Sequence, residues 1–337
     1  MSRAKPSPLS VEEWIAFDKR YPAPTFFARP AWMKALCSVN PHLKPFPMRV
    51  ELANQKSFVV PLLSGTARLM RWKQLVGMPL GTYTCFIGDD GSLPNAGECT
   101  EIIDVLSRHS DALTLVMWPL LPQPSPQSNQ RAAVVTMHET GLIDLRSGAE
   151  QALSRVSGIS RRMAGQASRR GVTCAHETGQ EAVDLYYGVL EKSAKRWALP
   201  APTISKDLIS ATLKLSAKDA EVWIVRHGEN PIAGGVILYG SQEMFFWSAA
   251  MLTEFSALRP SNALNFALIS AAAQRGVDWY NLGSSEGLPG VARFKRDLGA
   301  ETRYYPRIEC HKPLFAAYKR LGKLFTIAQP VKPAMQP

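Results

Sequence analysis

Three apolar runs in the second half of this sequence constrain the fold more than any other feature. They occupy residues 220–226, 231–238 and 244–250. Valine, isoleucine, phenylalanine and tryptophan recur in them, which favours strands. The two short segments between the runs are polar and contain glycine, as tight hairpin turns require. The pattern predicts three successive antiparallel strands, and a sheet built from them cannot be purely parallel.

Helical patterns flank these strands. Residues 181–195 and 205–215 carry apolar side chains at helical spacing before them. A long helix follows, opened by Pro260-Ser261-Asn262 and ended before Gly276, and then a strand, a short helix and a last strand. The first half of the chain predicts a looser version: two helices, a sheet, a helix and more sheet. Ser10, followed by Glu12 and Glu13, predicts the N-cap of the first of these helices, and residues 82–87 predict one of the strands. The predicted fold class is therefore α+β (mixed α/β), with mostly antiparallel sheets flanked by helices.

The length of 337 residues suits two ordinary domains or one large one, and 46% apolar residues give each half material for a core. We place an N-terminal domain at residues 1–148 and a second domain at residues 149–312. Residues 313–337 predict a basic amphipathic helix, packed on the protein, and a tail. A proline- and glutamine-rich stretch, residues 119–129, predicts either a lid over a groove or a long hairpin connection.

The formal net charge of +11 is unevenly placed, with +2 in residues 1–150 and +9 in residues 151–337. The second half is therefore expected to meet an anion, such as phosphates, RNA or an acidic surface. A generally basic surface that aids solubility is the alternative.

A helix predicted over residues 150–170 carries part of this charge. Arg155, Arg162 and Arg169 lie seven residues apart and would line one face of it. Guanidinium groups in such a stripe suit phosphate contact, and a solvated helix face is the equally simple alternative.

Several function classes are excluded by composition. The five cysteines are scattered and odd in number, and no Cys-x-x-Cys or His-x-x-x-His spacing predicts a metal site. The first residues lack the apolar run of a signal peptide, and no stretch of about 18 apolar residues predicts a membrane span. We expect a soluble, cytoplasmic protein in a reducing compartment.

Residues 276–299 have the pattern of a binding site. Val277, Trp279 and Tyr280 favour a short buried strand, and a glycine-rich loop follows it. Residues 291–298 then predict a short helix that carries cations and ends at Gly299. A strand that ends in an open loop beside a basic helix is suited to holding an anionic substrate.

The order of these elements and four of its segments resemble GNAT acyltransferases of the FemAB and CelD-like branch. The segments are residues 157–172, rich in serine and arginine, residues 258–264, residues 280–283 and residues 290–299. The resemblance implies a tandem pair of GNAT-like domains with a transfer site in or between them. Two departures stand out: Asn281 occupies the place of a frequent aspartate, and Leu298 replaces an aromatic residue.

The resemblance also bears on the donor. The pyrophosphate loop of ordinary GNAT enzymes is absent, and Arg259, Ser261 and Asn262 stand at the matching place. They are candidates to hold the phosphates of acetyl-CoA or another acyl-CoA, with Arg293 as a further candidate. Plain capping of the helix by Ser261 or Asn262 is the alternative.

Lys295 is the first candidate for catalysis. As a cation it could hold phosphates or stabilise charge at the reacting carbonyl, and the matching lysine of the family is linked to the transfer site. A surface lysine is the alternative. Asn281 and Ser284 are candidates to orient the acceptor, or belong to turn chemistry. Glu286 is a candidate proton acceptor, or a solvated loop acid.

The remaining candidates concern substrate binding. Tyr239 and Trp247 on the predicted central strands could line a cleft, although core packing is the commoner role of such residues. Arg162 belongs to the arginine stripe and is a candidate for substrate phosphate.

Three functions stay open at this point. The first is acyl transfer from a CoA-type thioester to an amine or an envelope- or polysaccharide-linked acceptor. The second is FemAB-type aminoacyl transfer, with charged tRNA as donor and partner. The third is a non-catalytic module that binds an anionic glycan or a protein. The sequence makes no prediction of oligomeric state.

Overall fold

The computed structural model describes residues 4–65, 72–124, 133–196, 199–285 and 287–320. They contain ten α-helices, and the helices are α1 (Val11–Arg20), α2 (Pro30–Val39), α3 (Ala96–Arg108), α4 (Gly148–Arg155), α5 (Gly158–Arg169), α6 (Gly179–Arg196), α7 (Lys206–Leu215), α8 (Pro260–Gln274), α9 (Pro289–Asp297) and α10 (Pro313–Arg320). The strands are β1 (Lys5–Pro8), β2 (Leu43–Pro45), β3 (Met48–Glu51), β4 (Ser57–Val60), β5 (Leu63–Gly65), β6 (Gln74–Val76), β7 (Ile87–Gly88), β8 (Ala112–Val116), β9 (Ala133–Asp144), β10 (Val172–Glu177), β11 (Ala220–His227), β12 (Asn230–Tyr239), β13 (Glu243–Met251), β14 (Trp279–Asn281) and β15 (Glu301–His311).

The chain divides into two compact units. The described residues up to 138 form the first unit together with residues 304–320, and residues 139–303 form the second. The boundary between the two units, after residue 138, lies ten residues before the boundary that we placed at residue 148 from the sequence. It falls inside the continuous strand β9, where no glycine or proline cluster marks it.

The second unit is built on the three predicted strands. β11 pairs antiparallel with β12, and β12 pairs antiparallel with β13. β10 extends this sheet at one edge and β14 at the other, and β14 pairs in turn with the second part of β9. Buried side chains from the sheet and α8, such as Ile237, Phe246 and Leu268, form its core. The antiparallel mixed α/β fold predicted from the sequence is confirmed.

The pair β13 and β14 is the parallel exception in the second unit, and it is short. The two strands are paired from Glu243 and Trp279 only as far as Phe245 and Asn281. β13 then continues to Met251 alongside β12, whereas the chain after Asn281 turns away into a loop. The two strands therefore part beyond Asn281, and a gap opens along one edge of β13.

The first unit has the same mixed composition. Its strands form a four-stranded sheet, β1-β3-β4-β7, and a row of neighbours, β15-β8-β6-β5-β2. Ser10 opens α1 with a capping box in which its hydroxyl accepts from Glu13 N–H, as predicted. Helix α10 packs Phe315 against Trp72, with ring centroids 5.7 Å apart. Residues after 320, and with them the predicted tail, lie outside the described residues.

Two predictions from the pattern are wrong. The helix predicted over residues 150–170 is two helices, α4 and α5, because Val156 is extended and Ser157 caps α5 through Ser160 N–H at 3.1 Å. Arg155 therefore lies on a different helix from Arg162 and Arg169. The strand predicted at residues 82–87 is also reduced, to β7 with a single bridge between Thr84 and Met117.

Membrane-spanning helices and metal-binding clusters are both absent from the residues that the structure describes. None of the helices there is both long and apolar enough to cross a bilayer. In the same ranges, no group of three or more histidine, cysteine or acidic side chains is arranged to hold a metal ion.

Candidate active site

A cleft of about 490 Å³, counting its open mouth, lies where β13 and β14 part. Its walls come from β12, β13, the first turns of α8, the loop after β14, and α9. All of these elements belong to the second unit. The lining is mainly apolar, with Phe246, Leu264 and Phe294 among the larger side chains, and Ser261, Asn265 and Lys295 supply its polar groups. Such a concave, apolar site with few polar groups suits a small-molecule ligand.

Small residues give the cleft its room on the sheet side. Gly234, Ala249 and Ala250 line it from β12 and β13. Gly234 has no space for a side chain, since a Cβ there would lie 2.5 Å from the carbonyl oxygen of Trp223. With a glycine and two alanines at these positions, little side-chain bulk covers the strand backbone where it lines the cleft.

The open edge of β13 offers backbone hydrogen-bond groups. Leu252 N–H donates to Ile232 O on β12 at 2.9 Å. Successive residues of a strand point their N–H groups to opposite edges, and the register here is regular from Ser248 to Met251. The N–H groups of Ala249 and Met251 therefore face away from β12, on the side where β13 has lost β14 as a neighbour.

Lys295 reaches the cleft from α9 and is 5% exposed. Its Nζ donates to Gly283 O and to Ser284 O, both at 2.8 Å. Gly141 makes the approach possible, because a Cβ at that position would lie 3.3 Å from Lys295 Cδ. The alternative of a surface lysine is therefore wrong.

Burial changes the chemistry of this amine. Loss of water around the charged form lowers the pKa of Lys295 to about 7, and the nearby Glu139 carboxylate opposes the shift. At neutral pH, ammonium and neutral amine are therefore both well populated. Such a group can accept and return a proton, and a pKa near the operating pH is what that task requires.

Asn281 is fully buried at the end of β14. Its Oδ1 accepts from Thr140 Oγ1 at 2.5 Å and from Gly283 N–H at 2.9 Å, and its Nδ2 donates to Glu243 Oε1 at 2.7 Å. These bonds hold the side chain in the interior, and it does not line the cleft. The role of orienting an acceptor directly, predicted from the sequence, therefore has no support in its position.

The start of α8 forms one end of the cleft. Arg259 is the N-cap residue in the left-handed region at φ 60°, and Pro260 occupies the first turn. No side chain caps this helix, so capping by Ser261 or Asn262 is wrong. Ser261 lines the cleft, whereas Asn262 is 7% exposed and does not.

The other predicted site residues are dispersed. Arg293 is exposed and lies 3.9 Å from Asp297, and Arg162 is exposed on α5. Tyr239 donates to Glu221 Oε2 at 2.9 Å, and Trp247 is the extra residue of a β-bulge in β13. None of these four is among the described residues that line the cleft. Ser284 contributes its carbonyl to Lys295, and Glu286 lies outside the described residues.

Sequence reasoning missed Asn265 on α8. Its side chain is 3% exposed and lines the cleft, Oδ1 accepts from Tyr280 O–H at 2.7 Å, and Nδ2 donates to Ser261 O at 2.9 Å. It thereby joins the first turn of α8 to β14. An amide within the otherwise apolar run of residues 263–269 was the available signal, since a polar side chain there must find partners.

Comparison with known proteins agrees with this geometry. A family model described as an acetyltransferase (GNAT) domain matches residues 154–296. These residues are therefore similar in sequence to a GNAT domain. The match lies within the second unit and includes the cleft, Asn281 and Lys295. No curated protein shows a significant match to the sequence.

Solved structures extend the likeness to nearly the whole chain. FemX is 11% identical, with a TM-score of 0.66 over 93% of this chain and 99% of FemX. The C-terminal domain of a protein described as a lysylphosphatidylglycerol synthetase of Agrobacterium fabrum is 12% identical, with a TM-score of 0.55 over 95% and 98%. A tandem GNAT protein from the clavulanic acid biosynthesis pathway is 9% identical, with a TM-score of 0.50 over 91% and 98%. At such identities these structures show the fold, and they confirm the tandem GNAT-like architecture.

Proposed function

We propose that the protein is an N-acyltransferase that takes its acyl group from a CoA-type thioester and passes it to an amine. The observation that carries the proposal is the position of Lys295, whose buried amine lies in the cleft where β13 and β14 part. A GNAT-type domain in the same residues supports the reaction class.

The donor would lie along the open edge of β13. The N–H groups of Ala249 and Met251 can donate to the amide groups of a pantetheine arm, or to the acyl carbonyl oxygen as negative charge develops on it. The N-terminus of α8 lies at one end of the cleft, and Arg259 precedes it. Its backbone N–H groups and this guanidinium would meet the donor phosphates.

Lys295 would carry the proton of the reaction. When the acceptor amine attacks the acyl carbon, its nitrogen becomes positive and must lose a proton. The neutral Lys295 amine takes this proton and returns it to the sulfur as the carbon–sulfur bond breaks. An amide and a free thiol result, and the lysine ends in its starting state.

The lining of the cleft favours an uncharged acyl group. Among the described residues that line it there is no carboxylate, and the charged side chain it offers is the amine of Lys295. An aminoacyl group would bring an ammonium into this site without a counter-charge, which is costly in an apolar cleft. A simple acyl thioester brings no such charge.

A thiol-release assay with acyl-CoA donors and a set of primary amines tests the proposal. The wild type should release free thiol, and Lys295→Met should lose most of the rate. Lys192→Met, at an exposed position on α6, is the matched control and should keep it. The proposal fails if no donor supports thiol release, or if Lys295→Met is as active as the control.

Aminoacyl transfer from tRNA is the second candidate, because α5 and its C-cap residue present a group of exposed cations. Arg161, Arg162, Arg169 and Arg170 are all exposed, and the fold is shared with FemX. Guanidinium groups on one helix suit a phosphate backbone. We also propose that the protein belongs to the FemAB and CelD-like branch. In the same way, we propose an envelope- or polysaccharide-linked acceptor and a cytoplasmic location.

A further inference from the structure

The side chain of Asn281 joins three separate elements of the second unit. Thr140 on β9, Glu243 at the start of β13 and Gly283 in the loop after β14 all bond to it. Asn281 is fully buried and Glu243 is 1% exposed. None of the proposed transfer steps uses either residue.

The orientation of the amide is determined by its partners. The backbone N–H of Gly283 can only donate, so the group facing it at 2.9 Å is the amide oxygen. The nitrogen therefore faces Glu243 Oε1, 2.7 Å away, and donates to it. The amide oxygen therefore acts as the acceptor for Gly283, and the amide nitrogen acts as the donor to Glu243.

Gly283 links Asn281 to Lys295. Its N–H is held by Asn281, and its carbonyl oxygen accepts from Lys295 Nζ at 2.8 Å and from Gly141 N–H at 3.1 Å. The residue adopts φ 73°, in the left-handed region that favours glycine. Fixing the N–H on one side of this turn therefore restricts where the carbonyl on the other side can point.

We propose that Asn281 is a positioning residue that holds the Gly283 turn so that its carbonyl fixes the amine of Lys295. The buried carboxylate of Glu243 in turn requires an amide at position 281. That Asn281 matters for acyl transfer rests on the proposed role of Lys295. That Asn281 fixes the position of the Lys295 amine does not depend on that role.

The requirement for an amide follows from charge. An aspartate at position 281 would bring a second carboxylate oxygen to about the 2.7 Å that now separates Asn281 Nδ2 from Glu243 Oε1. Two buried carboxylates at that distance cannot both ionise, so one of them must hold a proton. The asparagine that replaces the frequent aspartate at position 281 thus gives Glu243 a neutral hydrogen-bond donor.

Other charges around Lys295 have to be considered in any titration. Glu139 on β9 favours the ammonium form. Arg296 is next to Lys295 on α9, Asp297 lies two residues after it, and Arg293 lies two residues before it and is exposed. Hydrogen bonds through Asn281 and Gly283 connect Glu243 to the amine. Asn281→Leu and Thr140→Val leave all of these side chains unaltered, so a shift of the Lys295 midpoint in Asn281→Leu reports on the loss of Asn281.

The experiment uses ligand-free protein and two NMR measurements, hydrogen exchange of the Gly283 amide and the titration midpoint of the Lys295 amine. In Asn281→Leu the Gly283 amide should exchange about tenfold faster, the factor for losing a hydrogen bond of about 1.4 kcal/mol. The Lys295 midpoint should move up from about 7 as water reaches the amine. Thr140→Val, which leaves the bond to Gly283 in place, should change both far less.

A charge swap keeps the test decisive if Asn281→Leu does not fold. Asn281→Asp should lose Gly283 protection as the pH rises, because the two facing carboxyl groups repel each other once both are ionised. The double variant Asn281→Asp with Glu243→Gln restores one amide and one carboxylate, and should recover the protection. Equal behaviour of the single and double variants would overturn the inference, as would an unchanged Lys295 midpoint in a folded Asn281→Leu. Neither readout involves a donor, so failure of the acyl-CoA proposal leaves both outcomes intact.

Discussion

The amine of Lys295 and the carbonyl oxygen of Gly283 lie 2.8 Å apart in the interior of the second unit, and the carbonyl of Ser284 accepts from the same amine at 2.8 Å. A neutral amine has two N–H groups, and these carbonyls use both of them. Its lone pair is then left for another group. The ammonium form has one additional N–H in that place, so protonation changes what Lys295 offers without moving it.

Replacing Lys295 by arginine separates two roles for its charge. A proton carrier needs a neutral form, and a guanidinium has none at ordinary pH. We expect Lys295→Arg and Lys295→Met to lose about 10²-fold or more in kcat/KM, the usual contribution of a general acid–base group. In the wild type kcat/KM should rise as the pH passes through about 7, because the neutral amine begins the cycle.

The fixed-charge role predicted from the sequence gives the opposite result. If Lys295 acts by holding phosphate or stabilising charge at the carbonyl, Lys295→Arg should keep most of the rate. Wild-type activity should then decline above neutral pH. Thermal melting of both variants checks that any loss reflects chemistry and not unfolding.

The buried amine of Lys295 should also make the free energy of unfolding depend on pH. The pKa of Lys295 is lowered on folding, so between about 7 and 10.5 the unfolded chain binds one more proton than the folded chain. The free energy of unfolding should therefore gain up to about 1.4 kcal/mol per pH unit from this group across that interval. Below pH 7 the gain is absent, because both states are then protonated.

Urea unfolding at several pH values measures this slope. Other groups titrate in the same range, so the quantity to compare is the difference between the wild type and Lys295→Met. We expect Lys295→Met to be the more stable protein at pH 7 and to lack this slope. Parallel curves for the two proteins would show that the Lys295 amine is not held in a low-pKa site.

Much of the fold follows from local pattern. The three strands β11, β12 and β13 were predictable because short turn segments separate their apolar runs. Strands joined by such short turns pair with each other in the sheet. Helix α8 begins and ends as predicted, at Pro260 and Gln274, because proline and glycine mark its ends. The prediction of a single arginine stripe was wrong because the chain is extended at Val156, and Val156 and Ser157 separate two helices that resemble each other in composition.

The site was less predictable than the fold. The sequence identified Lys295 as the first candidate, but its burial depends on Gly141, which lies 154 positions earlier in the chain. The role of Asn281 depends on Thr140 and Glu243 in the same way. Contacts between residues so far apart leave no local periodicity, and a single sequence offers no other record of them.

The exposed arginines of α5 and its C-cap residue give a prediction for RNA binding. If Arg161, Arg162, Arg169 and Arg170 contact tRNA phosphates, changing two of them to glutamine should weaken binding and flatten its salt dependence by about 0.9 per lost contact. Filter binding across a range of salt concentrations measures that slope. Lys192 and Lys195 on α6, changed to glutamine together, are the matched control. Unaltered slopes in the arginine variant would remove tRNA as a partner of this helix.

Calorimetry with acetyl-CoA tests the central claim most directly, because it asks whether a CoA-type donor occupies the cleft. Ala249→Phe fills the cleft wall, and Ala175→Phe makes the same change at an exposed position on β10. We predict saturable binding to the wild type and to Ala175→Phe, and loss of binding in Ala249→Phe. Equal binding to all three proteins, or none to a folded wild type at millimolar donor, would contradict the account.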